Sequence, residues 1–205
     1  MFAQAEFHRV SPKLSVWHRY DPAVKTDLYT TRLETLSEMY LIDPISIESS
    51  LPEVPAMDLG LTGLIVTNAN HARAAVELSA RLRIPIYAHA AATVDLAGSE
   101  VRQLSDGFKI ASELTAFTIN GAAPGEIALH CTGDGGTLVF GDALINLGAN
   151  GLTFLPPKYC ANPKLLRLSL RKFLNCEFER MLFAHGTPIV FQAYQRFADL
   201  LGGER

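Results

Sequence analysis

Gly63-Leu64-Ile65-Val66-Thr67-Asn68-Ala69-Asn70-His71-Ala72-Arg73 is the stretch that decides how this chain folds. Leu64, Ile65 and Val66 form an unbroken apolar run, the pattern of a strand covered on both faces. Thr67 to Arg73 is a polar turn. Ala74, Ala75, Leu78 and Leu82 then recur near helical spacing, which predicts a helix over 74–82. Pro85 closes it, and Ile86-Tyr87-Ala88 starts another strand. Strand, helix and strand within about 25 residues make a βαβ unit with a parallel pair and a right-handed crossover. In such units chemistry gathers beyond the carboxyl end of the first strand, which here is the turn itself.

The flanking sequence has a different texture. Upstream, Val16 to Tyr20, Leu28 to Leu33 and Glu38 to Ile42 read as short strands, and Asp43-Pro44 marks a turn after the last of them. Val101 to Phe108 shows no clear period. Phe117 to Asn120, Glu126 to His130 and Thr137 to Phe140 return to strands, with Gly133-Asp134-Gly135-Gly136 as a hairpin loop. Asn162-Pro163 reads as a helix start with proline in the first turn. Met181 to Ala184 is a short buried strand, and Thr187-Pro188 is read as opening the last helix. The order β-layer, βαβ, β-layer, α, β, α predicts an α+β sandwich over 1–205 as a single domain. It has two mixed sheets packed face to face and helices on both outer faces (αββα).

Composition narrows the function classes. The 205 residues are 48% hydrophobic and 19% charged, with a net charge of −3. That describes a packed globular chain and excludes a nucleic-acid footprint, which needs clustered cations. The only basic cluster, Lys164, Arg167, Arg171 and Lys172, is spaced as the wet face of a helix. Cys131, Cys160 and Cys176 form no CxxC pair, so they read as buried free thiols. The N-terminus shows no signal-peptide pattern and no run is long enough to span a bilayer, so the expected location is cytoplasmic.

Three segments, in order, carry a resemblance to the metallo-β-lactamase superfamily. The first is the opening turn, which resembles Thr-His-x-His-x-Asp-His. The second is Gly121-Ala122-Ala123-Pro124-Gly125-Glu126, followed by Ile127 to His130 and by Thr137-Leu138-Val139-Phe140-Gly141-Asp142. It resembles Gly-His-Thr-Pro-Gly-Ser and the apolar strand ending in Gly-Asp. The third is Met181-Leu182-Phe183-Ala184-His185-Gly186, which resembles the strand ending in a ligand His beside Gly. The resemblance implies a hydrolase fold built around two metal ions. By position the family's ligands fall on Asn68, Asn70, Ala72, Arg73 and Ala122, and only Asp142 and His185 keep a ligand side chain. Asparagine is a poor zinc partner, alanine offers nothing, and arginine is a permanent cation. The expectation is therefore no dinuclear zinc site and no required cofactor, with a divalent metal such as zinc allowed but not favoured.

Each residue also has a plainer reading. Asp142 is a turn carboxylate or an ion-pair partner for Arg73; His185 is a core histidine or a surviving acid–base group. Asn70 is read as the helix cap, with Asn68 lining the cleft. His71, one residue out of ligand register, reads as a solvated turn histidine before a substitute ligand. His89 and His130 end apolar strands and match no ligand position. The sequence thus predicts a hydrolase-like protein with Asp142 and His185 as catalytic groups and Asn68, Asn70 and Arg73 orienting substrate. A binder of a small anion or a protein partner in the same cleft is the alternative. The expected partner is a small-molecule ligand or substrate, with neither nucleic acid nor membrane; a homodimer is allowed.

Overall fold

The structure is a computed structural model in which residues 5–46 and 60–202 are described. The first four and last three residues of the 1–205 domain reading lie outside the described residues. The chain opens with four antiparallel strands: β1 (Glu6–Ser11), β2 (Leu14–Asp21), β3 (Thr26–Glu34) and β4 (Met39–Ile42). β5 (Gly63–Val66), helix α1 (Ala75–Leu82), β6 (Ile86–His89) and β7 (Val101–Leu104) follow, and β4 to β7 run parallel. These seven strands form one mixed sheet in chain order.

A second mixed sheet holds β8 (Phe108–Lys109), β9 (Leu114–Thr118), β10 (Ile127–Cys131), β11 (Thr137–Phe140) and, parallel to β11, β14 (Arg180–Phe183). Between them in sequence come the hairpin β12 (Leu144–Leu147) and β13 (Gly151–Phe154), then helix α2 (Pro163–Leu170). Helix α3 (Ala193–Gly202) ends the described chain.

The expected sandwich is what forms. Alternation along β2 and β3 sends Leu14, Val16 and Leu33 inward against Leu129, Val139 and Leu182 of the second sheet. Leu64, Val66 and Ile86 face the other way, onto Ala75 of α1. Phe140, Phe183 and Leu138 face the opposite outside, where Phe173, Leu166, Leu170 and Phe197 cover them. Phe173 meets Phe117 and Phe140 edge-on, an arrangement aromatic quadrupoles favour. The unbroken apolar reading of β5 is explained: it is buried on both faces, α1 on one and the second sheet on the other.

The last helix starts later than Thr187-Pro188 suggests. Ile189 instead exchanges backbone hydrogen bonds with Met181, at 2.8 and 2.9 Å, and α3 begins at Ala193. Pairing with a buried strand outweighs the proline start signal. Asn162 does cap α2, accepting from the Leu165 amide at 3.1 Å. Of the three free cysteines, Cys131 is buried and Cys160 and Cys176 are half-buried.

Candidate functional site

The ends of β4, β5, β11 and β14 bring together Asp43, the 67–73 turn, Asp142 and His185. A tight turn follows β5 because Asn68 caps it. In extended backbone, its side-chain oxygen accepts from the Asn70 amide at 2.8 Å, and Ala69–His71 coil into one 3-10 turn. The cap is therefore Asn68, not Asn70. This leaves Asn68 buried, where the sequence placed it on the cleft wall. Its amide nitrogen donates to Glu126 Oε2 at 2.7 Å and to Asp142 Oδ2 at 3.0 Å. Asn70, exposed, has its own amide nitrogen 3.5 Å from the same Asp142 oxygen.

The coil of that turn swings His71 inward. It is only 2% exposed, not a solvated turn residue. Its Nδ1 lies 3.0 Å from Asp43 Oδ2 and 2.8 Å from Thr67 Oγ1. The Thr67 hydroxyl and amide both donate to Asp43, at 2.6 and 2.8 Å. Burial opposes charge on Asp43, but His71, Arg73 and these donors outweigh it and hold its pKa below the ordinary range. An ionised carboxylate accepts only, so the Nδ1 proton of His71 points to Asp43 and Nε2 faces the other way. Nε2 is 3.3 Å from Asp142 Oδ1.

His185 is oriented in the same sense. Its Nδ1 lies 3.2 Å from the Asp27 carbonyl, which can only accept, so Nδ1 carries the proton. Its Nε2 also sits 3.3 Å from Asp142 Oδ1. Two imidazole Nε2 atoms thus converge on one carboxylate oxygen while the other oxygen is occupied by asparagine amides. Asp142 is held ionised: burial raises its pKa, and the two histidines more than reverse this.

Arg73 does not occupy the place expected of it. Its Nη1 donates to the carbonyls of Tyr29 and Asp43, at 2.8 and 3.0 Å, and the predicted ion pair with Asp142 is replaced by the two histidines. Arg73 sits at φ 39° and Asp43 at φ 50°, both left-handed and unusual for side-chain-bearing residues. The Nη2 of Arg73 is buried without a hydrogen-bond partner. Ala122 is buried in the outer core and supplies no donor.

Glu126 completes the frame. Its Oε1 accepts from the Ala143 amide at 2.9 Å and its Oε2 from Asn68. Burial, then repulsion from Asp142, pushes its pKa up to about 8. Gly141 is required beside it, since a Cβ there would lie 2.5 Å from Thr67 Oγ1 and 2.8 Å from Glu126 Oε1. His89 and His130 serve elsewhere. His89 accepts from the Ala91 amide at 3.1 Å, and His130 Nε2 lies 3.0 Å from the Glu177 carbonyl.

The donors fit a metal ion. Ligands about 2.0–2.1 Å from a tetrahedral ion lie about 3.4 Å apart, and both Nε2–Oδ1 separations are 3.3 Å. A charge-assisted hydrogen bond would be shorter, about 2.7–2.9 Å. The ligand atoms of His71, Asp142 and His185 all lie within 4.8 Å of one another. A carboxylate or carbonyl on the far nitrogen of each imidazole is the usual support for a metal-ligating histidine. The sequence reading, with one imidazole and one carboxylate, therefore undercounted the donors. His71 is the addition, and its signal was the Asp43-Pro44 turn and Thr67, whose side chains reach it.

Two mixed sheets packed between helices, with histidine and aspartate donors at their strand ends, define an αββα sandwich with a candidate metal centre. The family model described as "Metallo-beta-lactamase superfamily" matches residues 6–202, and the chain belongs to that superfamily. Similar solved structures include the DIM-1 metallo-beta-lactamase, with TM-score 0.77, 13% identity and 100% of both chains covered. The metallo-beta-lactamase from Pontibacter korlensis gives 0.73 and 16%, covering 98% of this chain and 100% of that one. FIM-1 from Pseudomonas aeruginosa, in its mono-zinc form, gives 0.71 and 14%, covering 98% and 96%. At these identities the likeness is one of fold. Comparison with curated proteins gave no match. Among the described residues no helix is long and apolar enough to cross a membrane.

Proposed function

We propose that this chain is a hydrolase of the superfamily that works with one divalent ion, held by His71, His185 and Asp142. The observation that carries this is the convergence of two oriented Nε2 atoms on Asp142 Oδ1, at 3.3 Å each. When bound, the ion supplies Lewis acidity to a carbonyl or phosphoryl group and lowers the pKa of water. A second ion beside this one is not part of the proposal, because Asn68, Asn70 and Ala122 stand where the resemblance places the remaining ligands.

The chain's own groups have separable tasks. Asp43 and the Asp27 carbonyl keep the protons on Nδ1 of His71 and His185. Asn68 and Glu126 fix the second oxygen of Asp142, so that its first oxygen stays turned to the histidines. Asn70 and Arg73 are the groups left to orient substrate. Asn70 has only a 3.5 Å contact to break, and Arg73 carries an unpartnered Nη2.

The second reading is a cleft that binds an anion without turning it over, with the Arg73 guanidinium as its fixed cation. Ester, thioester, lactam and phosphoester substrates should be assayed with zinc or manganese and with chelator. Metal-dependent turnover lost in His185→Ala supports the hydrolase. Thermal stabilisation by an anion, with no turnover of any substrate class, overturns it in favour of the binder.

A further inference from the structure

Glu6, His8 and His18 form a second donor cluster on β1 and β2. Glu6 lies directly across from His18 in the antiparallel register, and His8 is the next residue on the same face of β1. Glu6 Oε2 is 3.6 Å from His18 Nε2 and 3.9 Å from His8 Nε2. All three ligand atoms lie within 4.8 Å of one another. These separations are a few tenths of an ångström to about 1.4 Å beyond the edge of a tetrahedral zinc site. His8 and Glu6 have side chains 57% and 69% exposed, which leaves them room to close that gap once His8 tilts out of its stack on His18, where the ring centroids are 5.5 Å apart.

His18 is the anchor. Its side chain is only 17% exposed, and its ring stacks on Tyr29 at 4.6 Å. Its Nδ1 faces Asp27 Oδ1 at 3.7 Å, which turns Nε2 toward Glu6. This places a carboxylate on the far nitrogen, as Asp43 does for His71, but at 3.7 Å rather than the 3.0 Å hydrogen bond there.

We propose that Glu6, His8 and His18 bind a second divalent transition-metal ion, with Asp27 orienting His18. Two imidazoles and one carboxylate suit zinc, nickel or copper over magnesium or calcium. The site is separate from the central one but adjoins it through Asp27, whose carbonyl meets His185 while its carboxylate meets His18, and through Tyr29, whose carbonyl meets Arg73 while its ring meets His18.

The test uses tag-free, metal-stripped full-length protein titrated with zinc chloride, with bound zinc counted by elemental analysis after gel filtration. His8→Ala, a change at an exposed position, should remove one equivalent relative to wild type. His185→Ala should leave that equivalent in place, so failure of the central site and failure of this one are read separately. Asp27→Asn keeps the carbonyl and should weaken the His8-dependent equivalent by about tenfold. Zinc binding by His8→Ala equal to wild type in number and affinity overturns the proposal.

Discussion

Asp43 Oδ2 lies 3.0 Å from His71 Nδ1, and this contact turns a buried histidine into a donor aimed at Asp142. Asp43→Asn tests it with little disturbance, because asparagine tolerates the left-handed backbone at φ 50°. The variant should fold, and its affinity for zinc at the central site should fall about 10–100-fold. Competition with a chromophoric chelator measures this, using circular dichroism as the folding control. Unchanged affinity would remove Asp43 from the account.

Glu126 gives the metal-free protein a pH dependence. Its folded pKa is raised from 4.5 to about 8, so the fold binds its proton more tightly than the unfolded chain does. The stability this contributes is fully present below about pH 4.5 and is lost as pH rises through 8. The melting temperature in chelator should therefore carry a falling component between pH 5 and 8. Glu126→Gln should reduce that slope, whatever its absolute stability, since glutamine does not titrate. His71, whose charge burial opposes but whose pKa Asp43 raises to about 9, keeps the part of the fall above pH 6.5.

Gly141→Ala should cost about 1–3 kcal/mol, the usual range for overpacking. The added methyl would press on Thr67 and Glu126 together, and through them on His71 and Asp142. Denaturant melts read the stability. Zinc affinity should drop with it, because the same side chains that must shift hold the donors in place. A stable variant with weakened zinc binding would locate the strain at the site alone.

The fold was legible because its signals are local. The apolar run of β5, the helical spacing after it and the Gly133 to Gly136 loop each report on neighbours in sequence. The late start of α3 was not legible, since Ile189 pairs with Met181 at the edge of the second sheet. The site was half legible. Asp142 and His185 carry their own chemistry, and their side chains meet at 3.3 Å. His71 looked out of register because register in an extended turn differs from register in a 3-10 coil, and the Asn68 cap selects the coil. Glu126 and Asp43 are ordinary turn carboxylates in sequence. Only their burial against Asn68 and His71 gives them a role.

The central claim is one divalent ion held by His71, Asp142 and His185. Its most direct test is the zinc content of the His8→Ala protein, with and without a second substitution at His71 or His185. The account predicts one zinc per chain in His8→Ala, lost when His71→Ala or the half-buried His185→Ala is added to a chain that still folds. No zinc in the parent, two in the parent, or one that survives both substitutions would contradict it.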